Sequence, residues 1–244
     1  MEPRVALITG GAKGIGRAIG LDLAARGWRV AFCYRTSIAE AKEAWDAMRA
    51  LGVEALAERA DVADPEECED LVEKTLKDFG RIDALVNCAG PYVREPLLEQ
   101  SAETWRSQFD NNLHPIFYLA KLVAPGMKER RFGRIVSFSM ANADQMAGQP
   151  MVTAHYISKA GVLILTKSLA KILGPHGITV NAISPGFIAS GSAPDEELER
   201  MVKSIPAGYV GELSDTVSAA RYLLSDEARY VNGANLQVSG GWGV

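Results

Sequence analysis

A chain of 244 residues is long enough for one large α/β domain or two small ones, and 48% hydrophobic with 23% charged residues is an ordinary globular composition. A net charge of −4 with no basic run leaves no electrostatic footprint for nucleic acid. Cys33, Cys68 and Cys88 stand far apart without a CxxC pair, which supports neither a disulfide framework nor a zinc site, so no metal is expected.

The opening stretch MEPRVALITGG carries charges and turns to glycine after a short apolar run. That run is too short for a secretory core or a membrane span, so a cytoplasmic location without membrane attachment is expected. From here, short apolar runs alternate with amphipathic stretches. The strand candidates in order are RVALIT, WRVAFCY, EALAERAD, DALVN, GRIVSFS, GITVNAIS and NLQVSG. Cys33 and Cys88, in or beside such runs, read as small buried apolar residues. Helical patterns lie near residues 15–26, 37–51, 65–79, 102–130, 152–173 and 214–225. Asp64 and Pro65 suit the cap and first position of the third helix. Gly27, Gly52, Gly80 and Gly133 fall between a helix and the next strand, where left-handed helix stops occur. Strands that are apolar throughout point to a parallel sheet covered on both faces. The expected fold is therefore α/β, a doubly wound parallel sheet of Rossmann type in three layers, built as a single domain over residues 1–244. Its ligand site belongs outside the carboxyl ends of the strands, where the strand order reverses.

Two stretches carry candidate chemistry. LITGGAKGIGRAIG sets Gly10, Gly14 and Gly16 between the first strand and the first helix. Glycines allow a tight turn close to a phosphate, and the helix N-terminus then offers free N–H groups. TAHYISKAG sets Lys159 three residues after Tyr156 and four after His155. On a helix both spacings bring side chains together, so either ring can face the lysine.

TGGAKGIG resembles the TGxxxGxG turn of the short-chain dehydrogenase/reductase family, and the resemblance runs along essentially the whole chain. NCAG (Asn87 to Gly90) is close to the family's NNAG; ADVAD sets Asp61 and Val62 at the adenine-contacting end of the third strand. NNLHPIF matches the family's helix asparagine at Asn112, SPGFIAS (Ser184 to Ser190) its PG motif, and YVNGANLQVSGG its C-terminal signature. The chain is similar to the carrier-protein oxoacyl reductases and small-ketone reductases of that family. The resemblance implies an NAD(P)-dependent oxidoreductase interconverting a carbonyl and an alcohol on a small-molecule or carrier-bound substrate. It implies a cofactor site of Gly10, Lys13, Gly14, Ile15, Gly16, Tyr34, Arg35, Asp61, Val62, Asn87, Ala89, Gly90, Lys159, Pro185, Gly186 and Ser190. At the end of the second strand, Tyr34 stands where the family's acidic residue would favour a free ribose 2′-hydroxyl; Arg35 follows, with Lys13 nearby and Arg17 as a weaker third cation. Arginine grips a phosphate through two parallel hydrogen bonds, so NADP(H) is expected over NAD(H).

The catalytic stretch departs from the family pattern. That pattern uses a tyrosine, a lysine four residues later, a serine and an asparagine. Asn112 and Lys159 match, but the tyrosine position reads His155 and the serine position reads Met140, with Ser139 one residue early. The intervening ANADQMAGQPMVTA is longer than the pattern. If the helix starts one residue late, Tyr156 replaces the missing tyrosine; if it keeps register, His155 points into the site and Tyr156 turns towards the sheet or a neighbouring subunit. A histidine beside Lys159 is driven towards its neutral form, which still donates a hydrogen bond. Met140 cannot donate, which leaves Ser139, Asn142 or Asp144 to supply the missing contact. The candidate catalytic set is thus Asn112, Ser139, His155, Tyr156 and Lys159.

Residues 188–211 are expected to form a small substrate lid with one helix, with Ile205, Pro206 and Tyr209 near substrate. The helices at 102–130 and 152–173 resemble the family's tetramer-forming pair, so a homotetramer or dimer is expected. The alternative function is a dinucleotide-binding or regulatory protein that keeps the cleft and has lost turnover.

Overall fold

The computed structural model describes residues 2–191 and 195–244. Its strands are β1 (Val5–Thr9), β2 (Arg29–Tyr34), β3 (Ala55–Arg59), β4 (Ala84–Asn87), β5 (Gly133–Phe138), β6 (Ile178–Pro185) and β7 (Asn235–Val238). All pair in parallel in the order β3-β2-β1-β4-β5-β6-β7. The helices are α1 (Gly14–Ala25), α2 (Ile38–Ala50), α3 (Pro65–Phe79), α4 (Ala102–Asn112), α5 (His114–Arg130), α6 (Thr153–Leu173), α7 (Asp195–Met201) and α8 (Leu213–Leu224).

Alternation along each strand sends side chains to two separate cores. Val5, Leu7 and Leu85 join Leu71, Leu119 and Leu173 from α3, α5 and α6 on one face. Ala6, Ile8 and Val86 join Ile19, Met48 and Leu223 from α1, α2 and α8 on the other. Strands buried on both sides need no polar face, which is why VALIT is apolar and fully buried.

Local signals mostly act as expected. Asp64 accepts from the Glu66 N–H at 2.8 Å with Pro65 in the first turn of α3, and Ser101 accepts from the Thr104 N–H at 3.0 Å to cap α4. Gly27, Gly52 and Gly80 adopt the left-handed conformation. Gly133 does not. Arg131 takes the left-handed stop instead, at φ 52°, and Gly133 opens β5, where a Cβ would meet the Met127 sulfur at 2.5 Å. The long helix expected over 102–130 is two helices broken at Leu113 (φ −118°, ψ −52°), because Pro115 in the first turn of α5 has no N–H to continue the ladder. Asn112 therefore ends α4 rather than sitting inside a helix.

The sheet order turns between β1 and β4, whose neighbouring ends pair Thr9 with Asn87. The buried Thr9 hydroxyl accepts from the Cys88 and Ala89 N–H groups at 3.1 and 3.0 Å, which fixes the chain leaving β4. Thr9→Val keeps the shape and removes the acceptor. Leaving two partly buried N–H groups unpartnered is expected to cost ~2 kcal/mol in urea unfolding, whereas an unchanged midpoint would mean that this tie is dispensable.

Candidate active site

Two cavities flank the N-terminus of α1. The first, of about 280 Å³, is lined by Gly10, Lys13, Tyr34, Arg35, Asp61, Val62, Ala89 and Gly90 among others. The backbone here is built for close approach. Gly10 is left-handed (φ 66°), with a would-be Cβ at 3.2 Å from the Ala89 backbone, and a Cβ on Gly16 would stand 2.5 Å from the Gly10 carbonyl oxygen. α1 has no side-chain cap at Lys13, so its first N–H groups stay free for an anion. These features fit a dinucleotide laid across the strand ends. Arg35 bonds Asp61 and Asn111 at 3.3 Å each at the cavity edge. Arg17 is drawn away by Glu43 at 3.5 Å and does not join Lys13 and Arg35 at the cavity.

The second cavity, of about 430 Å³, takes Ile15, Ser139, Met140, His155, Pro185, Gly186 and Ser190 from the predicted residues. Tyr92, Met151, Phe187, Leu198, Met201 and Trp242 complete much of its apolar wall. Phe187 and Trp242 pack edge to face with centroids 4.8 Å apart. The predicted lid supplies Leu198 and Met201, while Ile205 is buried, Pro206 packs on Gly241 and Tyr209 is exposed. Residues 192–194 of that segment lie outside the described residues.

α6 begins at Thr153 and keeps its register, which separates the two rings. His155 lines the second cavity. Tyr156 does not: its hydroxyl donates to the Asn142 carbonyl at 2.8 Å and accepts from the Ala147 N–H at 3.0 Å. It faces the loop that follows β5, neither the sheet nor an outer surface. Ser139 reaches the cavity wall, yet its hydroxyl donates to the Lys159 carbonyl at 2.8 Å. Asp144 is held by Asn235 and Gln237 at 3.2 Å each, and Asn142 sits left-handed at φ 62°. Asn87 bonds Ser137 at 3.1 Å behind the cavities, and Asn112 donates to the Pro91 carbonyl at 3.2 Å with Oδ1 buried and unpartnered.

Lys159 is buried one turn after His155, its ammonium donating to the Phe138 carbonyl at 2.9 Å. Burial lowers its pKa to about 8. Burial, then the Lys159 charge, lowers that of His155 to about 3, against the opposing pull of the Pro91 carbonyl. The imidazole is therefore neutral across the ordinary pH range. Its Nδ1 lies 3.2 Å from Oε1 of Gln108, and the Tyr92 ring meets it edge-on at 5.2 Å. Gln108, Tyr92 and Trp242 were not singled out by the motif pattern. Gln108 is detectable in retrospect as a polar residue one turn before Asn112 on the same inward helix face.

A family model described as enoyl-(acyl carrier protein) reductase matches residues 10–243. The chain belongs to the short-chain dehydrogenase/reductase family. A 3-oxoacyl-[acyl-carrier-protein] reductase FabG of Staphylococcus aureus is 36% identical over 239 residues, covering 97% of this chain and 96% of its own. Among solved structures, an actinorhodin polyketide ketoreductase variant with NADPH superposes with a TM-score of 0.92 at 31% identity, covering 99% of this chain and 97% of its own. A blue fluorescent protein from a metagenomic library, in complex with NADPH, gives 0.93 at 33% identity, covering 99% and 98%. No helix among the described residues is long and apolar enough to cross a membrane.

An imidazole held at about 3 in the native state and near 6.5 when unfolded binds its proton more weakly when folded. Native stability therefore falls as pH drops from about 6.5 towards 3, by up to ~1.4 kcal/mol per pH unit from this group alone. Urea unfolding of wild type and His155→Phe at pH 7 and pH 5 checks this. The wild type should lose more stability over that interval; equal losses would show that the ring titrates normally.

Proposed function

We propose that this protein is an NADP(H)-dependent oxidoreductase that interconverts a carbonyl and an alcohol on an acyl-type substrate, with His155 as the group that meets the substrate oxygen. The observation that carries it is the pairing of a cavity-facing His155 with a buried Lys159 four residues on, beside a glycine-walled cleft that fits a dinucleotide. Gly10, Gly14 and Gly16 and the free end of α1 would hold the pyrophosphate, while Lys13 and Arg35 stand where a 2′-phosphate would be met. When bound, the nicotinamide supplies the hydride chemistry.

The chain's own residues position the substrate and manage one proton. Met140, Met151, Phe187, Leu198, Met201 and Trp242 give the second cavity an apolar wall that favours an apolar or acyl chain and excludes water. His155, neutral, presents a ring N–H to the carbonyl oxygen and hands over that proton as negative charge develops there, leaving an imidazolate that water from the cavity mouth reprotonates before the next turnover. The adjacent Lys159 charge disfavours a second proton on the ring and eases departure of the first. Ser139 braces α6 through the Lys159 carbonyl instead of touching substrate, and Asn112 holds Pro91 in place beside the ring. Exposed Phe117, Ile164 and Ile172 on α5 and α6 support a homo-oligomer built through those helices.

Purified protein is screened for NADPH oxidation against a panel of ketones and acyl thioesters. His155→Ala should lower kcat/KM by at least ~100-fold. Tyr156→Phe should hold kcat within about threefold while costing ~1–2 kcal/mol of stability through the orphaned Ala147 N–H. The reverse pattern would make Tyr156 the proton donor. Tight NADPH binding with no turnover on any substrate would favour the dinucleotide-binding alternative.

A further inference from the structure

Gln108 is fully buried in the second turn of α4, with Oε1 3.2 Å from His155 Nδ1. Its amide nitrogen is buried without a hydrogen-bond partner. The oxygen and nitrogen of such an amide exchange places without moving any other heavy atom, and the hydrogen-bond network decides between them. As drawn, Nδ1 carries the proton and a buried N–H₂ is orphaned. Turned over, the amide donates to Nδ1 and leaves its carbonyl under-used. Buried donors without partners are rarer in folded proteins than under-used carbonyls, so the turned amide is the better-satisfied arrangement.

The other groups around the ring do not compete for that role. The Lys159 ammonium is committed to the Phe138 carbonyl at 2.9 Å, and the Pro91 carbonyl accepts only. Tyr92 meets the ring through its aromatic edge. A carboxylate in place of Gln108 would demand a proton on Nδ1 and stabilise the imidazolium. A neutral amide can donate to Nδ1 in a buried site without adding charge.

We propose that Gln108 is a positioning residue: by donating to Nδ1 it holds His155 in the tautomer protonated at Nε2, the ring nitrogen that Gln108 does not engage. That tautomer offers an N–H to a carbonyl oxygen; the other offers only a lone pair. The proposal rests on the reading of His155 as the group that meets substrate, and the test separates the two.

The chain has three histidines, so ¹⁵N-histidine labelling gives a simple long-range ¹H–¹⁵N spectrum, with His155 assigned through His155→Phe. At neutral pH the wild type should show the Nε2–H tautomer. Gln108→Met should give a mixture of tautomers and lower kcat at least about tenfold, with KM and NADPH affinity little changed. Gln108→Glu should move the proton to Nδ1 or charge the ring. An Nδ1–H tautomer in the wild type overturns the proposal, as does a folded Gln108→Met with the wild-type tautomer and kcat. If Gln108→Met fails to fold, the wild-type spectrum alone decides. If His155→Ala keeps its turnover, the functional reading fails whichever tautomer is seen.

Discussion

α6 is rotated so that the Tyr156 hydroxyl lies between the Asn142 carbonyl and the Ala147 N–H while His155 lines the second cavity. The proposed chemistry depends on that rotation. With Tyr156 turned to the loop after β5, the residue before it faces the second cavity, and Lys159 falls one turn behind on the same side. Ser139 bonds the helix from the end of β5 by donating to the Lys159 carbonyl, a second tie on α6 one turn beyond Tyr156. A tyrosine and a serine that sit beside familiar motif positions are thus bonded within the protein, and the residue facing the cavity is a histidine.

A buried imidazole beside a buried ammonium carries no charge at neutral pH, and in the proposed reaction it would act as a hydrogen-bond donor to developing negative charge. Such a ring needs its proton on the correct nitrogen, because without charge it has one proton to place. The donation proposed for the buried amide of Gln108 would answer that need, whereas surface charge around the cofactor cleft, such as the partly exposed Arg35–Asp61 pair, contributes little to holding the fold.

Much of this was legible in the sequence. Apolar strand runs pointed to the parallel sheet, and Asp64 and Pro65 marked a helix start because capping is a local interaction. Gly10, Gly14 and Gly16 marked the cleft because their role is backbone geometry, which a residue type alone reports. The break at Leu113 was masked by amphipathic patterning continuing across it, although Pro115 was the available signal. The choice between His155 and Tyr156 was out of reach, since both spacings face Lys159 on an ideal helix. Which ring faces the cavity follows from the loop that ends at residue 152, whose contacts with Tyr156 span nine and fourteen residues and leave no periodic trace. Gln108 was hidden for the same reason: its partner lies 47 residues away.

The most direct test of the account is a crystal structure of the protein with NADP(H) and a reducible ketone or its alcohol. The account places the His155 ring nitrogen within ~2.6–3.2 Å of the substrate oxygen, with Tyr156 still bound to Asn142 and Ala147. A complex in which the Tyr156 hydroxyl leaves the loop and bonds the substrate oxygen, with His155 turned away, would contradict it.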